Sequence, residues 1–219
     1  MAKKKNITFN DIISNYMEYV LEHNKQPQSV YAFSKHNNFD EALFYKYFSS
    51  FESLEKHIFK AFFDNTFSVL ETSEDYISFD ARNKLLSFYY TFFENLTANR
   101  SYVMYALNKQ KHNLKSLTTL SELRKVFKSY INSLDIETLD IKDEKIVKLQ
   151  DTTLQESAWF QLLVTIKFWM DDTSSSFEKT DIFIEKAVNA SFDLIDIKPL
   201  KSIIDLGKFL FKEKMQMNK

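Results

Sequence analysis

Gln28–Leu54 reads QSVYAFSKHNNFDEALFYKYFSSFESL, and this stretch decides the fold. Pro27 stops any helix arriving from upstream and makes Gln28 or Ser29 the next N-cap, so a short helix is expected over about Val30–His36. Asn37–Asn38 is the expected corner, because asparagine enters the left-handed backbone region more readily than most residues with a β-carbon. Asp40 is placed to cap a second short helix over about Glu41–Phe48, and Ser49–Ser50 to cap a third that continues to about Glu71. In that third helix Leu54, Ile58, Phe59, Phe62, Phe63, Phe67 and Leu70 form one apolar stripe. Two short helices around a tight corner, followed by a long one, are the layout of a helix-turn-helix reader.

Working outward, Thr8 with Asp11 resembles a capping box that opens a helix over about Phe9–His23. Downstream, apolar residues at helical spacing predict helices over about Asp80–Leu96, Ser101–Asn108, Ser116–Leu134, Leu154–Met170 and Phe177–Ile195, with a last one opened by Pro199 and reaching about Lys214. Asp135–Gln150 is charged and irregular and reads as a connection; the acid pair Asp171–Asp172 reads as a solvated joint. Leu154–Met170 is apolar on nearly every side, which predicts a helix enclosed by a core or by an interface. The expected class is all-α.

The composition agrees. Among 219 residues there are one Gly and two Pro, too few breakers for many tight β-turns. The 22 Phe predict an aromatic-rich core. A net charge of -1 excludes a broadly basic surface, so an anionic partner must be met by a local patch. Without Cys there is no disulfide framework, thiol catalysis or Cys-ligated zinc, which fits a reducing cytoplasm. Trp159–Met170 is too short and too interrupted to span a bilayer, so no integral membrane segment is expected. His23, His36, His57 and His112 include no pair at i, i+3 or i, i+4, and no Gly-rich phosphate loop exists, so neither a metal site nor an enzyme is expected, and no cofactor is assigned.

Phe33-Ser34-Lys35, Asn38-Phe39-Asp40, Phe44-Tyr45-Lys46-Tyr47-Phe48 and Ser50-Phe51-Glu52-Ser53-Leu54 together resemble the N-terminal domain of TetR-family transcriptional regulators over about Phe9–Phe62. The resemblance implies a helix-turn-helix domain over residues 1–50, followed over 51–219 by a larger helical domain that binds a ligand and dimerises through its last two helices. It implies a non-enzymatic, ligand-responsive regulator in the cytoplasm that meets DNA through Lys3, Lys4, Lys5, Lys35, Glu41, Tyr45, Lys46 and Tyr47. An apolar small molecule or lipid is expected against Tyr89, Phe93, Trp159, Gln161, Thr165 and Trp169, since such pockets are mostly apolar with a few polar anchors.

Three positions depart from the family pattern. Asn38 stands for the corner Gly, Leu43 for a Thr of the recognition helix, and Phe51 for a phosphate-contacting Lys. Residues 6–65 hold 5 Lys, 0 Arg and 8 acids. A second segment, Asp172–Asn189, resembles the coenzyme Q biosynthesis lipid-binding proteins, which share the fold without DNA binding. That likeness implies the alternative of an isoprenoid-binding accessory protein with an interfacial final helix rich in Phe and Lys.

Overall fold

The computed structural model describes residues 7–108, 118–136 and 144–196. Among them are ten α-helices, one 3-10 turn and no strand. The helices are α1 (Phe9–His23), α2 (Val30–His36), α3 (Glu41–Tyr47), α4 (Phe51–Leu70), α5 (Glu74–Ser78), α6 (Ala81–Ala98), α7 (Arg100–Asn108), α8 (Ser121–Ser133), α9 (Glu144–Asp171) and α10 (Glu178–Asp196). The all-α expectation is met. No described helix is long and apolar enough to cross a membrane.

Local rules set the first four helices. Thr8 and Asp11 form the expected capping box, and Asn24 ends α1 in the left-handed conformation (φ 51°, ψ 30°). Ser29 and Ser50 cap α2 and α4 by accepting from Ala32 N and Ser53 N. Asp40 takes the N-cap position of α3, but its side chain does not make the cap hydrogen bond.

Other boundaries differ from the sequence reading. The five-residue α5 was not expected, and α9 begins at Glu144, ten residues before the expected Leu154. Glu144–Gln150 contains neither Gly nor Pro and is rich in good helix formers, so the charged stretch extends the helix instead of breaking it. Asp172 is a buried clamp and not a solvated joint. Its Oδ1 accepts from Ser174 N and Oγ (2.8 and 2.6 Å), and its Oδ2 from Thr180 N and Oγ1 (2.9 and 2.7 Å), which fixes the entry to α10. Burial opposes ionisation, yet these four donors hold the carboxyl well below the usual carboxylate range. The expected last helix lies outside the described residues.

The chain packs as two compact units, Met1–Ser73 with Thr91–Ser129, and Glu74–Tyr90 with Tyr130–Lys219; one boundary falls just before α5 and the other two inside α6 and α8. The first unit is built on aromatic rings. Phe33 is fully buried and meets Tyr16, Phe39, Phe44 and Phe51 edge-on at 5.6–6.3 Å. Asn95 Nδ2 donates to Phe62 O at 3.0 Å and so ties the C-terminal part of α6 to α4. In the second unit Tyr76 Oη donates to Tyr130 Oη (3.2 Å), which donates to Lys84 O (3.0 Å), and Arg82 pairs with Asp193 at 2.9 Å.

Candidate functional site

The corner between α2 and α3 is set by backbone geometry. Asn38 adopts φ 58°, Phe39 N donates to Ser34 O (3.0 Å), and Asn38 N donates to Lys35 O (3.3 Å). This pair of bonds is a Schellman motif with Asn in the place that Gly usually takes. The ring contact between Phe39 and Phe33, at 5.8 Å, supplies the hydrophobic closure that goes with it. The corner therefore holds its shape without a glycine.

The corner fixes which side of α3 is presented. Phe44 is fully buried, so the opposite side faces out, at about 100° per residue. That outer side carries Ala42 and Lys46, both exposed, flanked by Tyr45 (53% exposed) and half-buried Leu43. Glu41 is half-buried at the leading end, and Tyr47 is half-buried with its ring edge-on to Phe9 at 5.7 Å. On α2, Lys35 is exposed and lies 5.8 Å from the centre of the Tyr31 ring; Lys46 stands at the same distance from Tyr47. Lys35, Tyr45 and Lys46 thus reach solvent on α2 and α3, whereas Tyr47 serves partly as packing. Lys3, Lys4 and Lys5 lie outside the described residues.

Phe51 opens α4 from inside the core. It is 5% exposed, stacks on Tyr16 at 5.4 Å and meets Phe44 at 5.3 Å. A ring so placed cannot reach a phosphate. Elsewhere on α4, Lys56 pairs with Glu52 (2.9 Å) and Lys60 with Asp64 (2.6 Å).

The expected ligand residues divide between the units. Phe93 is buried in the first. In the second, Trp159, Thr165 and Trp169 are buried on the inner side of α9, and Tyr89 is buried on α6. Tyr89 is hydrogen-bonded to Thr165, whose Oγ1 donates to Gln161 O at 2.8 Å. Burial pushes the Tyr89 hydroxyl far above its ordinary pKa, so it stays protonated. Gln161 Oε1 accepts from Ser191 Oγ (2.7 Å), while Gln161 Nε2 is buried without a hydrogen-bond partner. Tyr89, Thr165, Gln161 and Ser191 make a polar seam through an apolar interior. The sequence reading missed Ser191; the available signal was a hydroxyl four residues after Ala187 on a half-apolar helix.

Only one side of α9 is enclosed. Its outer side shows Phe160 (67% exposed), Val164 (38%) and Phe168 (37%) at successive four-residue steps. Two surface grooves run beside them, of about 420 Å³ around Phe160 and about 370 Å³ around Val164, Phe168 and Lys179. The expectation of a helix apolar all round is correct in pattern, but half of that pattern faces out.

Comparison with known proteins places this geometry. No curated protein matches the chain. The crystal structure of the TetR transcriptional regulator from Nitrosomonas europaea ATCC 19718 superposes with a TM-score of 0.57 at 14% identity, covering 83% of this chain and 96% of that one, so the overall fold is shared. The family described as "Tetracyclin repressor-like, C-terminal domain" matches residues 84–210, more than half of the chain. With the helix-turn-helix corner at its N-terminal end and that domain behind it, the chain belongs to the tetracyclin repressor-like (TetR) family of transcriptional regulators.

Proposed function

We propose that this chain is a non-enzymatic, cytoplasmic regulator that binds duplex DNA as a homodimer and responds to an apolar ligand. The observation that carries the reading is the outward face of α3: the corner at Asn38 fixes it, the buried Phe44 orients it, and Lys46 and Tyr45 stand on it. Helix-turn-helix proteins lay such a face in the major groove. Lys35 and Lys46 meet phosphates, the Tyr45 and Tyr47 hydroxyls add uncharged contacts, and the Glu41 carboxylate accepts from a cytosine amino group. Lys3, Lys4 and Lys5 extend the contact as a basic arm.

Dimerisation is supported by the outer stripe of α9. Phe160, Val164 and Phe168 present apolar surface that a second copy covers by twofold pairing, beside the expected bundle of the last two helices, α10 and the Pro199 helix that lies outside the described residues. The ligand is assigned to the second unit, between Trp159 and Trp169, with Gln161 and Thr165 as polar anchors. The buried Gln161 Nε2 without a partner is the observation behind that assignment. Ligand binding acts by population shift, favouring one spacing of the two reading heads.

The test is a salt titration of binding to the DNA upstream of the chain's own coding sequence. The account expects nanomolar-range binding that weakens steeply as salt rises. Absent binding, with lipid copurifying, would instead support the isoprenoid-binding alternative.

A further inference from the structure

We infer that the reading helix recognises thymine, through apolar contact with its methyl group, so that each half-site contains A·T pairs. The inference rests on the DNA-binding reading above and adds what the DNA must be. In the major groove the commonest specific contact is arginine or lysine to guanine, and asparagine or glutamine pairs with adenine. Helix α3, EALFYKY, contains no Arg, Asn or Gln, and its one lysine, Lys46, is assigned to a phosphate by the reading above.

What α3 does present is hydrocarbon. Ala42 is exposed, Leu43 is half-exposed and the Tyr45 ring is 53% exposed, all arranged around one cation, Lys46. The burial of Phe44 forbids rotating the helix to offer another side. The only base feature in the groove that rewards such a surface is the thymine C5 methyl, which apolar side chains contact. Leu43 is decisive, because a hydroxyl-bearing residue there would read polar edges, whereas its branched methyls read only hydrocarbon. Phosphate attraction from this domain is modest, with 5 Lys against 8 acids over residues 6–65, so desolvated methyl contacts add to affinity as well as to discrimination.

The experiment selects bound duplexes from a random-sequence library with the full-length chain, then replaces each thymine of the selected site by deoxyuridine, which removes only the methyl. The expected result is an enriched half-site containing thymines, with roughly fourfold weaker binding for each methyl lost at a contacted position, the effect of uncovering one methyl-sized group. Leu43→Ala, which adds no polar group, should lose that thymine-over-uracil preference at one position. If Leu43→Ala fails to fold, Tyr45→Ala on the exposed side is scored by the thymine-to-uracil affinity ratio alone, because it also removes the hydroxyl contact assigned above. An enriched site that lacks thymine, or whose affinity is indifferent to deoxyuridine, overturns the inference and leaves the DNA-binding reading intact. Enrichment of no duplex at all overturns both.

Discussion

Tyr16 Oη donates a 2.6 Å hydrogen bond to Glu55 Oε1, joining α1 to α4 across 39 residues of sequence inside the first unit. Burial, followed by the charge and hydrogen bond of Glu55, pushes the Tyr16 hydroxyl far above its ordinary pKa, so it is a donor at any physiological pH. Tyr102 on α7 is also buried and senses Glu55, and its own hydroxyl has no hydrogen-bond partner. Tyr16→Phe should therefore lower stability by about 1–3 kcal/mol in urea denaturation, because it removes a donor from a buried carboxyl group. Tyr102→Phe should be close to neutral, since it discards an unsatisfied hydroxyl. Equal losses from both changes would contradict this assignment.

Phe51 provides a second prediction. Restoring the family's lysine there, Phe51→Lys, should destabilise the chain by roughly 3–5 kcal/mol, the range for losing a core aromatic, with the ammonium's desolvation opposing it further. A thermal melt beside a DNA titration checks this: stability falls and affinity does not rise. A stable variant that binds DNA more tightly would show that the ring is dispensable.

Lys46→Ala should weaken binding about equally across DNA sequences and reduce the slope of log K against log salt by about one for each phosphate contact removed. Lys60, paired with Asp64 at 2.6 Å, is the control: Lys60→Ala should leave the slope unchanged.

Phe160→Asp, on the exposed stripe of α9, should shift the chain from dimer to monomer in sedimentation velocity without lowering the helical signal. The stable protein–protein interface it disrupts buries about 1,200–2,000 Å² in total. An unchanged dimer would move the interface to another surface.

Asp172 makes stability depend on pH with a definite sign. Its folded-state pKa is depressed, so its contribution is present above the ordinary carboxylate pKa and is lost as pH falls through the folded value. Thermal unfolding of the parent and Asp172→Asn should therefore differ most at neutral pH and converge in strong acid. A gap that widens on acidification would reverse the assignment.

What was legible in the sequence is what local chemistry determines. Thr8, Ser29, Asn38 and Ser50 each announce a cap or a corner through their own backbone preferences, and each does that work in the structure. The buried stripe of α4 was readable from its spacing. Features that depend on distant partners were not readable. Asp172 is a clamp because Thr180, eight residues on, turns back to it as well as Ser174, and Tyr16, 39 residues away, meets the buried Glu55. The start of α9 is hidden in the sequence because its first two turns carry charge without an apolar stripe, although Glu and Lys are good helix formers. At the start of α4, the resemblance implies that Phe51 stands where the family has a lysine, but only packing shows that the ring is sealed in the core.

The central claim is that α3 lies in the major groove in each half of a twofold pair. Hydroxyl-radical footprinting of the selected duplex tests it most directly. The account predicts two protected patches about one helical turn apart, roughly 34–36 Å, or a multiple of that spacing. A single patch, or uniform cleavage at every salt concentration, would contradict it.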